Sequence, residues 1–450
     1  MAARLLPYKA INNKKIFPAT ITDFRPGLHQ RDERYDFESP SSRSLLKQHK
    51  GAEKCSVIIG PPGSGKTSSL QEIMKQRYGE FMSQGMKGSL PVYIDLTTAT
   101  LPIYETVSRS IGIQLDATYS ALDNTGCMLT VLCDGLDRLP CGMSAKKVFD
   151  ELLSLSRHPT IDNMYIACKR SDWNTSYLDK AHASEVNVLT LCPFSTHPKG
   201  EIAEYIRLRF PEASHAVFQS IRSDRRILDM ARNPHLLKMI CDLVKTNPSN
   251  VLPDNRSQLF RQWIKQQLVD AGEGGEDISR IYEVLGKIAF VMMQTGVLEI
   301  SETSLPSLGV GVLENQHQYY SLLEKAKEAR LLCATAHSDS APYLSFIHQS
   351  FQEYFAMCEV QQNDNQGIQA WFEDTASEKK WDELKLLLLE EISKDSISTE
   401  HIVLIKWAIH HLFPLSPRLA CQAYSRTSLF DLSFEKNVWE LWCKVKAISE

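Results

Sequence analysis

The sequence predicts an α/β protein: a parallel sheet layered with helices, then helical modules. Three observations predict it. Five short apolar runs, CSVIIG (55–60), PVYIDLT (91–97), MLTVLCDGL (128–136), MYIACKR (164–170) and NVLTLCP (187–193), alternate with longer amphipathic segments. After Pro193 such runs stop and helical spacing takes over. One late pair, RLLCAT (330–335) and YLSFIH (343–348), flanks the turn formers HSDSAP (337–342) and reads as a hairpin.

The 450 residues exceed one typical core, so two to four domains are expected. Net charge is -4, so no global basic field advertises nucleic acid or acidic lipid. Residues 1–54 hold eleven Lys/Arg against six Asp/Glu, and 361–450 hold ten against fourteen, which reads as scattered solvated charge. The eleven cysteines are odd in number and form no CxxC pair. Cys133, Cys168 and Cys192 lie in apolar runs and read as small buried hydrophobes. This argues for a reducing compartment and against disulfides or a zinc site. With no signal-peptide pattern at the start and no run of the ~20 apolar residues a bilayer span needs, a cytoplasmic protein is expected.

Each segment follows in order. Residues 1–50 are polar and turn-rich, with ESPSSRS (38–44) as linker; they are expected to offer an output surface or a strand to a neighbour. Residues 51–195 hold the five strands, continuous apolar runs suited to a sheet buried on both faces. In EIAEYIRLRF (201–210), Ile202, Tyr205, Ile206 and Phe210 share a helical face. Helices are expected near 214–222, 225–230 and 234–246, closing a helical domain at 196–252. A block at 253–360 starts a helix near Ser257, pauses at GEGGED (272–277) and carries the hairpin. Residues 361–450 are helical by pattern. No repeat of 20–50 residues is present.

GPPGSGKT (60–67) is a phosphate-loop pattern, and its context fits. An apolar strand runs into Gly60 and a helix can follow Ser68. Backbone N–H groups of Gly60, Pro61, Pro62, Gly63, Ser64, Gly65 and their neighbours, proline nitrogens excepted, are expected to wrap nucleotide phosphates, with Ser68 in the first helical turn. Lys66 is expected on the β- and γ-phosphates and the Thr67 hydroxyl on Mg²⁺. LTVLCDGLDRLP (129–140) is an apolar strand tipped with acids. Asp134 is placed to hold Mg²⁺, and Asp137 to orient or deprotonate water. Arg170, ending the next run, faces the same sheet edge as a sensor of the γ-phosphate.

Four motifs in order, GPPGSGKT, VLCDGLDRL, ARNPHLLKMIC (231–241) and FIHQSFQEYFAM (346–357), resemble the NACHT family of STAND nucleotide switches. The resemblance covers about residues 55–360. It implies an α/β P-loop NTPase with an ASCE/AAA+-like parallel sheet, then a helical domain, a winged-helix domain and a short helical C-terminal domain; by elimination, residues 361–450 are expected to be the sensor. It further implies Pro234 against the adenine ring, Arg170 as first sensor arginine and His348 as a winged-helix histidine on the β-phosphate of ADP. The resemblance implies a closed ADP-bound state, an ATP-bound homo-oligomer and a role in innate immune or antiphage defence. The trigger and effector proteins stay open, and nucleic acid is not expected as a partner.

Two departures stand out. Arg138 occupies the place where the family usually carries Glu, and Ser171 follows Arg170 where it usually carries Pro. Hydrolysis is therefore expected to be slow. Two other readings remain open: an AAA+ ATPase acting on DNA, and a nucleotide-binding scaffold without hydrolysis. Against the former, residues 330–346 hold one arginine and no lysine. From spacing alone, Leu344, Phe346 and His348 share a strand face, and Ile347, Phe351, Tyr354, Phe355 and Cys358 form a helical core stripe. His348 alone reads as a core histidine; only the resemblance moves it to the nucleotide.

Overall fold

A computed structural model describes residues 21–23, 54–85, 88–99, 102–111, 127–139, 143–169, 173, 185–246, 252–253, 255–306, 316–335, 342–393 and 398–427. The chain divides into two compact units, Met1–Lys238 and Met239–Glu450.

In the first unit, strand β1 (Ile21–Asp23) precedes β2 (Cys55–Gly60), helix α1 (Lys66–Ser83) and β3 (Gly88–Asp95). Helix α2 (Ile103–Ile111), β4 (Cys127–Asp134), α3 (Ala145–Ser156), β5 (Ile161–Lys169) and β6 (Val186–Leu191) follow. The sheet order is β1-β6-β2-β5-β4-β3. From β6 to β3 every pairing is parallel. All six residues of β2 are buried, as a central strand with layers on both faces requires. Val57, Ile59, Val131, Cys133 and Ile166 meet Phe149 and Leu152 of α3 in one core.

The expected runs fall on strands, β3 and β5 each beginning three residues early, with three further differences. The segment expected as an output surface, linker or neighbour's strand supplies β1, which pairs antiparallel with β6 of its own sheet, Ile21 opposite Leu191. The open backbone edge of β6 accepts it, and three residues are too few to carry a strand pattern. The second run ends as a strand at Asp95, because the Asp95 carboxylate accepts the Thr97 N–H at 2.9 Å and turns 96–98 into a 3₁₀ helix. Cys192 lies just past β6 and is half-buried, unlike the fully buried Cys133 and Cys168. Burial pushes the Cys133 thiol above the ordinary range, as expected of a packed hydrophobe.

Four helices complete this unit: α4 (Glu201–Arg209), α5 (Ser214–Ser223), α6 (Arg225–Ala231) and α7 (Pro234–Thr246), whose later part belongs to the second unit. Asp224 caps α6, its carboxylate accepting the Arg226 N–H at 2.7 Å.

The second unit contains α8 (Arg256–Asp270), α9 (Gly275–Thr295), β7 (Ile300–Ser301), α10 (Gln316–Glu328), β8 (Leu332–Thr335), β9 (Tyr343–Phe346) and α11 (Gln349–Val360). Strands β7, β9 and β8 form an antiparallel sheet in that order, the expected hairpin with one added strand. Phe351 stacks on Trp263 of α8 at 5.1 Å, and Phe260 meets Tyr354 at 5.6 Å. Ile347 does not join this stripe: it is 49% exposed, because α11 starts two residues later and Ile347 sits in the connection.

Helices α12 (Asn365–Thr375), α13 (Asp382–Ile392), α14 (Thr399–Leu412) and α15 (Pro417–Arg426) follow. Packing does not break at residue 360: α13 lies against α8 and α11 and is buried from Leu384 to Ile392. Its charged residues are paired. Glu390, 2% exposed, receives the Arg256 guanidinium at 2.6 Å, and Glu391 receives Arg261 and the Ser257 hydroxyl. Lys385, fully buried, donates to the Thr375 carbonyl at 2.7 Å. Among the described residues, no helix is long and apolar enough to cross a membrane.

Candidate functional site

The site lies at the carboxyl edge of the first unit's sheet, where β2 and β4 end. Strand β2 delivers Gly60, and residues 61–65 turn the chain into α1. Gly63 takes φ 72°, a left-handed conformation that a side chain resists. A Cβ there would lie 2.8 Å from Asn233 Oδ1 and 2.9 Å from His235 Cβ. Gly65 at the N-cap has no side chain to offer the first helical N–H groups, which leaves them for an anion. Lys66 donates to the carbonyls of Gly60 at 3.0 Å and Pro61 at 3.1 Å, so its ammonium arches over the loop. Burial lowers its pKa, and the carboxylates of Asp137 and Asp134 oppose that shift.

Asp134, 4% exposed, is the hub. Its Oδ2 accepts the Thr67 hydroxyl at 2.7 Å and the Tyr93 hydroxyl at 2.9 Å, and lies 3.5 Å from Arg138 Nη2. Burial, then the Asp134 charge, raises the Tyr93 pKa, so the phenol stays protonated and donates. A hydroxyl and a carboxylate are hard oxygen donors that suit Mg²⁺, which takes one or two carboxylates and completes its shell with water and phosphate. Thr67 and Asp134 thus fit the ion the motifs imply.

Asp137 is fixed differently. Its Oδ1 accepts the Lys169 backbone N–H at 2.9 Å, while Leu136 N–H donates to Ala167 O at 3.1 Å. These two bonds tie the acidic turn to the end of β5, placing Asp134, Asp137 and Lys169 at one edge.

Of the predicted residues, the loop 60–68, Asp134 and Asp137 come together. Pro234 begins α7, and its neighbours reach the loop: Asn233 Nδ2 donates to Pro62 O at 2.9 Å, and His235 N–H donates to Gly63 O at 3.3 Å. Arg170 lies outside the described residues. His348 belongs to the second unit, where it caps α11: its Nδ1 accepts the Ser350 N–H at 3.1 Å. Tyr93, Asn233 and His235 escaped sequence reasoning. Asn before Pro at a helix start was the available signal for Asn233. The pairing of Tyr93 with Asp134 depends on strand register, which no spacing reveals.

With the P-loop on a central strand, the acid on the strand two places away and β5 between them, the architecture is decided. The fold is that of an α/β P-loop NTPase of the ASCE/AAA+ type. No protein-family model matches the chain, and a search of curated proteins returns no match. Among solved structures, the chain is similar to the Aeropyrum pernix ORC2 protein in ADPNP-ADP complexes, at 16% identity and TM-score 0.34, over 74% of this chain and 93% of that one. It is also similar to the Aeropyrum pernix ORC1 protein in complex with DNA, at 11% identity and TM-score 0.32, over 70% and 91%. Cdc6p from Pyrobaculum aerophilum aligns at 13% identity and TM-score 0.32, over 76% and 100%. The fold assignment rests on strand order and site geometry, not on these distant likenesses.

Proposed function

We propose that the protein is a nucleotide switch of the NACHT type, binding ATP and ADP with Mg²⁺ and hydrolysing ATP slowly, and that it signals in innate immune or antiphage defence. The observation that carries the switch reading is the pair of bonds from the start of α7 to the phosphate loop, Asn233 to Pro62 and His235 to Gly63. A helical module that grips the loop itself feels what the loop binds. A metabolic ATPase needs a second-substrate site more than it needs such a grip.

In this reading the loop amides and Lys66 hold the phosphates, and Thr67 with Asp134 hold Mg²⁺. The ion would neutralise charge on the β- and γ-phosphate oxygens when bound. Asp137 orients the attacking water, and Arg170 reads the γ-phosphate. Pro234 packs on the base. His348 acts as the latch on the ADP β-phosphate. Its chemistry suits that role. With Nδ1 accepting from Ser350, the neutral ring carries its proton on Nε2. The closed state then holds ADP, and exchange for ATP releases a surface for self-assembly. The four ordered motifs support the family and its defence role.

The test measures particle mass with ADP, ATP and a non-hydrolysable ATP analogue, alongside single-turnover hydrolysis. The proposal expects one copy with ADP and a defined oligomer with the analogue. One mass in all three conditions overturns the switch. Nucleotide binding without Mg²⁺-dependent ADP formation would leave a scaffold instead, and DNA binding with a steep salt slope would point to an AAA+ protein acting on DNA.

A further inference from the structure

Arg138 stands where the resembled family carries a carboxylate, and its position reaches beyond a mere loss of that group. Its guanidinium Nη2 lies 3.5 Å from Oδ2 of Asp134, the oxygen that also receives Thr67 and Tyr93. The turn that brings it there is built for it. Gly135 takes φ 88°, and Arg138 N–H donates to the Gly135 carbonyl at 2.9 Å. The side chain then folds back over that glycine. A Cβ on Gly135 would meet Arg138 Nη2 at 3.3 Å and Nε at 3.4 Å, so the guanidinium occupies space that a side chain there would crowd.

The charge balance follows. Among the described residues, the charged side chains whose fields bear on Lys66 are Asp137, Asp134, Arg138 and Lys169. Among these described groups, Lys66 included, three cations stand against two carboxylates. With Glu in place of Arg138 the same described groups would be two against three, so this one position shifts the site by two charges. The more negative site relies more on a divalent cation to hold a polyphosphate. The more positive one attracts the polyphosphate directly and disfavours the added ion.

Resting on the reading that this loop binds nucleotide, we propose that Arg138 is a resident counter-cation on the metal-binding carboxylate. The site then holds nucleoside di- and triphosphates with little dependence on Mg²⁺, and binds the divalent ion weakly. Arg138 is a positioning and specificity residue: it acts through Asp134 and sets which cation neutralises the phosphates. A guanidinium cannot leave with the nucleotide as a metal ion can, so retention of ADP no longer tracks the Mg²⁺ concentration.

The experiment uses the full chain and three forms: unmutated, Arg138→Gln and Arg138→Glu, with melting curves confirming that each folds. Calorimetry measures ADP and ATP affinity with Mg²⁺ and with a chelator. Electron paramagnetic resonance measures Mn²⁺ affinity of the ADP complex. In the unmutated chain, removing Mg²⁺ is expected to change ADP affinity by less than about threefold. In Arg138→Glu the same change exceeds about tenfold, and Mn²⁺ binds about tenfold tighter or more, with Arg138→Gln between. Equal Mn²⁺ affinity and equal Mg²⁺ dependence across the three forms overturns the proposal while leaving nucleotide binding intact. Absence of ADP binding to the unmutated chain overturns the nucleotide reading, and this proposal with it.

Discussion

The Thr67 hydroxyl donates to Asp134 Oδ2 at 2.7 Å, joining two residues 67 positions apart. One lies at the start of α1 and the other at the tip of β4. Their meeting makes the two motifs one site. Thr67→Ala removes the hydroxyl and leaves the loop glycines and Lys66 in place. Nucleotide affinity with chelator should stay within a few-fold of the unmutated chain, while Mn²⁺ affinity falls about tenfold or more. A calorimetric titration of each checks this; an unchanged Mn²⁺ affinity would remove Thr67 from the metal site.

Asn233 does two jobs. Its Oδ1 accepts the His235 N–H at 3.0 Å at the start of α7, and its amide donates to Pro62 O at 2.9 Å. Asn233→Asp keeps the acceptor and loses the donor. Asn233→Ala loses both and should cost about 0.5–2 kcal/mol in chemical unfolding through the cap. The two variants should differ in stability but share a weakened preference for ADP over ATP. Should Asn233→Asp keep that preference, the grip on the loop does not transmit nucleotide state.

His348 caps α11, so His348→Ala alone is ambiguous: it loses the cap, about 1 kcal/mol, along with any phosphate contact. His348→Asn separates the two, because asparagine caps well but does not reproduce the imidazole N–H. With ADP, both variants should show more spontaneous oligomer by mass analysis. An Asn variant that stays closed like the unmutated chain would make His348 a capping residue only.

Lys385 sets a pH dependence. Burial lowers its pKa, with Asp382 and Glu378 opposing. The unfolded chain therefore binds more protons than the folded one between the lowered value and the ordinary lysine value. Across that window stability should rise with pH; it falls as pH drops from the ordinary lysine value to the folded value and levels off below it. Lys385→Met should flatten this slope in urea unfolding at several alkaline pH values. It should also destabilise the protein by about 1–3 kcal/mol, since the carbonyl of Thr375 loses its buried donor.

The sequence was informative wherever a local rule had a local cause. Val57, Ile58 and Ile59 are buried because a run of β-branched residues without alternation suits only a strand covered on both faces. Helices at 214–223, 225–231 and 234–246 fall where apolar spacing put them. Ile347 escaped because periodicity continues through a helix start, whereas the chain does not. Nothing local marks Glu390 and Glu391 for burial, yet both are buried against arginines 130 or more residues away.

By itself, then, the sequence determined the phosphate loop, the acid-tipped strand, the parallel sheet and the helical region that follows it. Each rests on period, on turn chemistry or on side-chain burial, which are properties of neighbours along the chain. Tertiary structure alone decided that Thr67, Tyr93 and Arg138 share one oxygen of Asp134, and that Asn233 and His235 hold the loop. Those contacts depend on strand order, register and the direction in which a turn aims its side chain, and residues far apart in the chain carry no local mark of them.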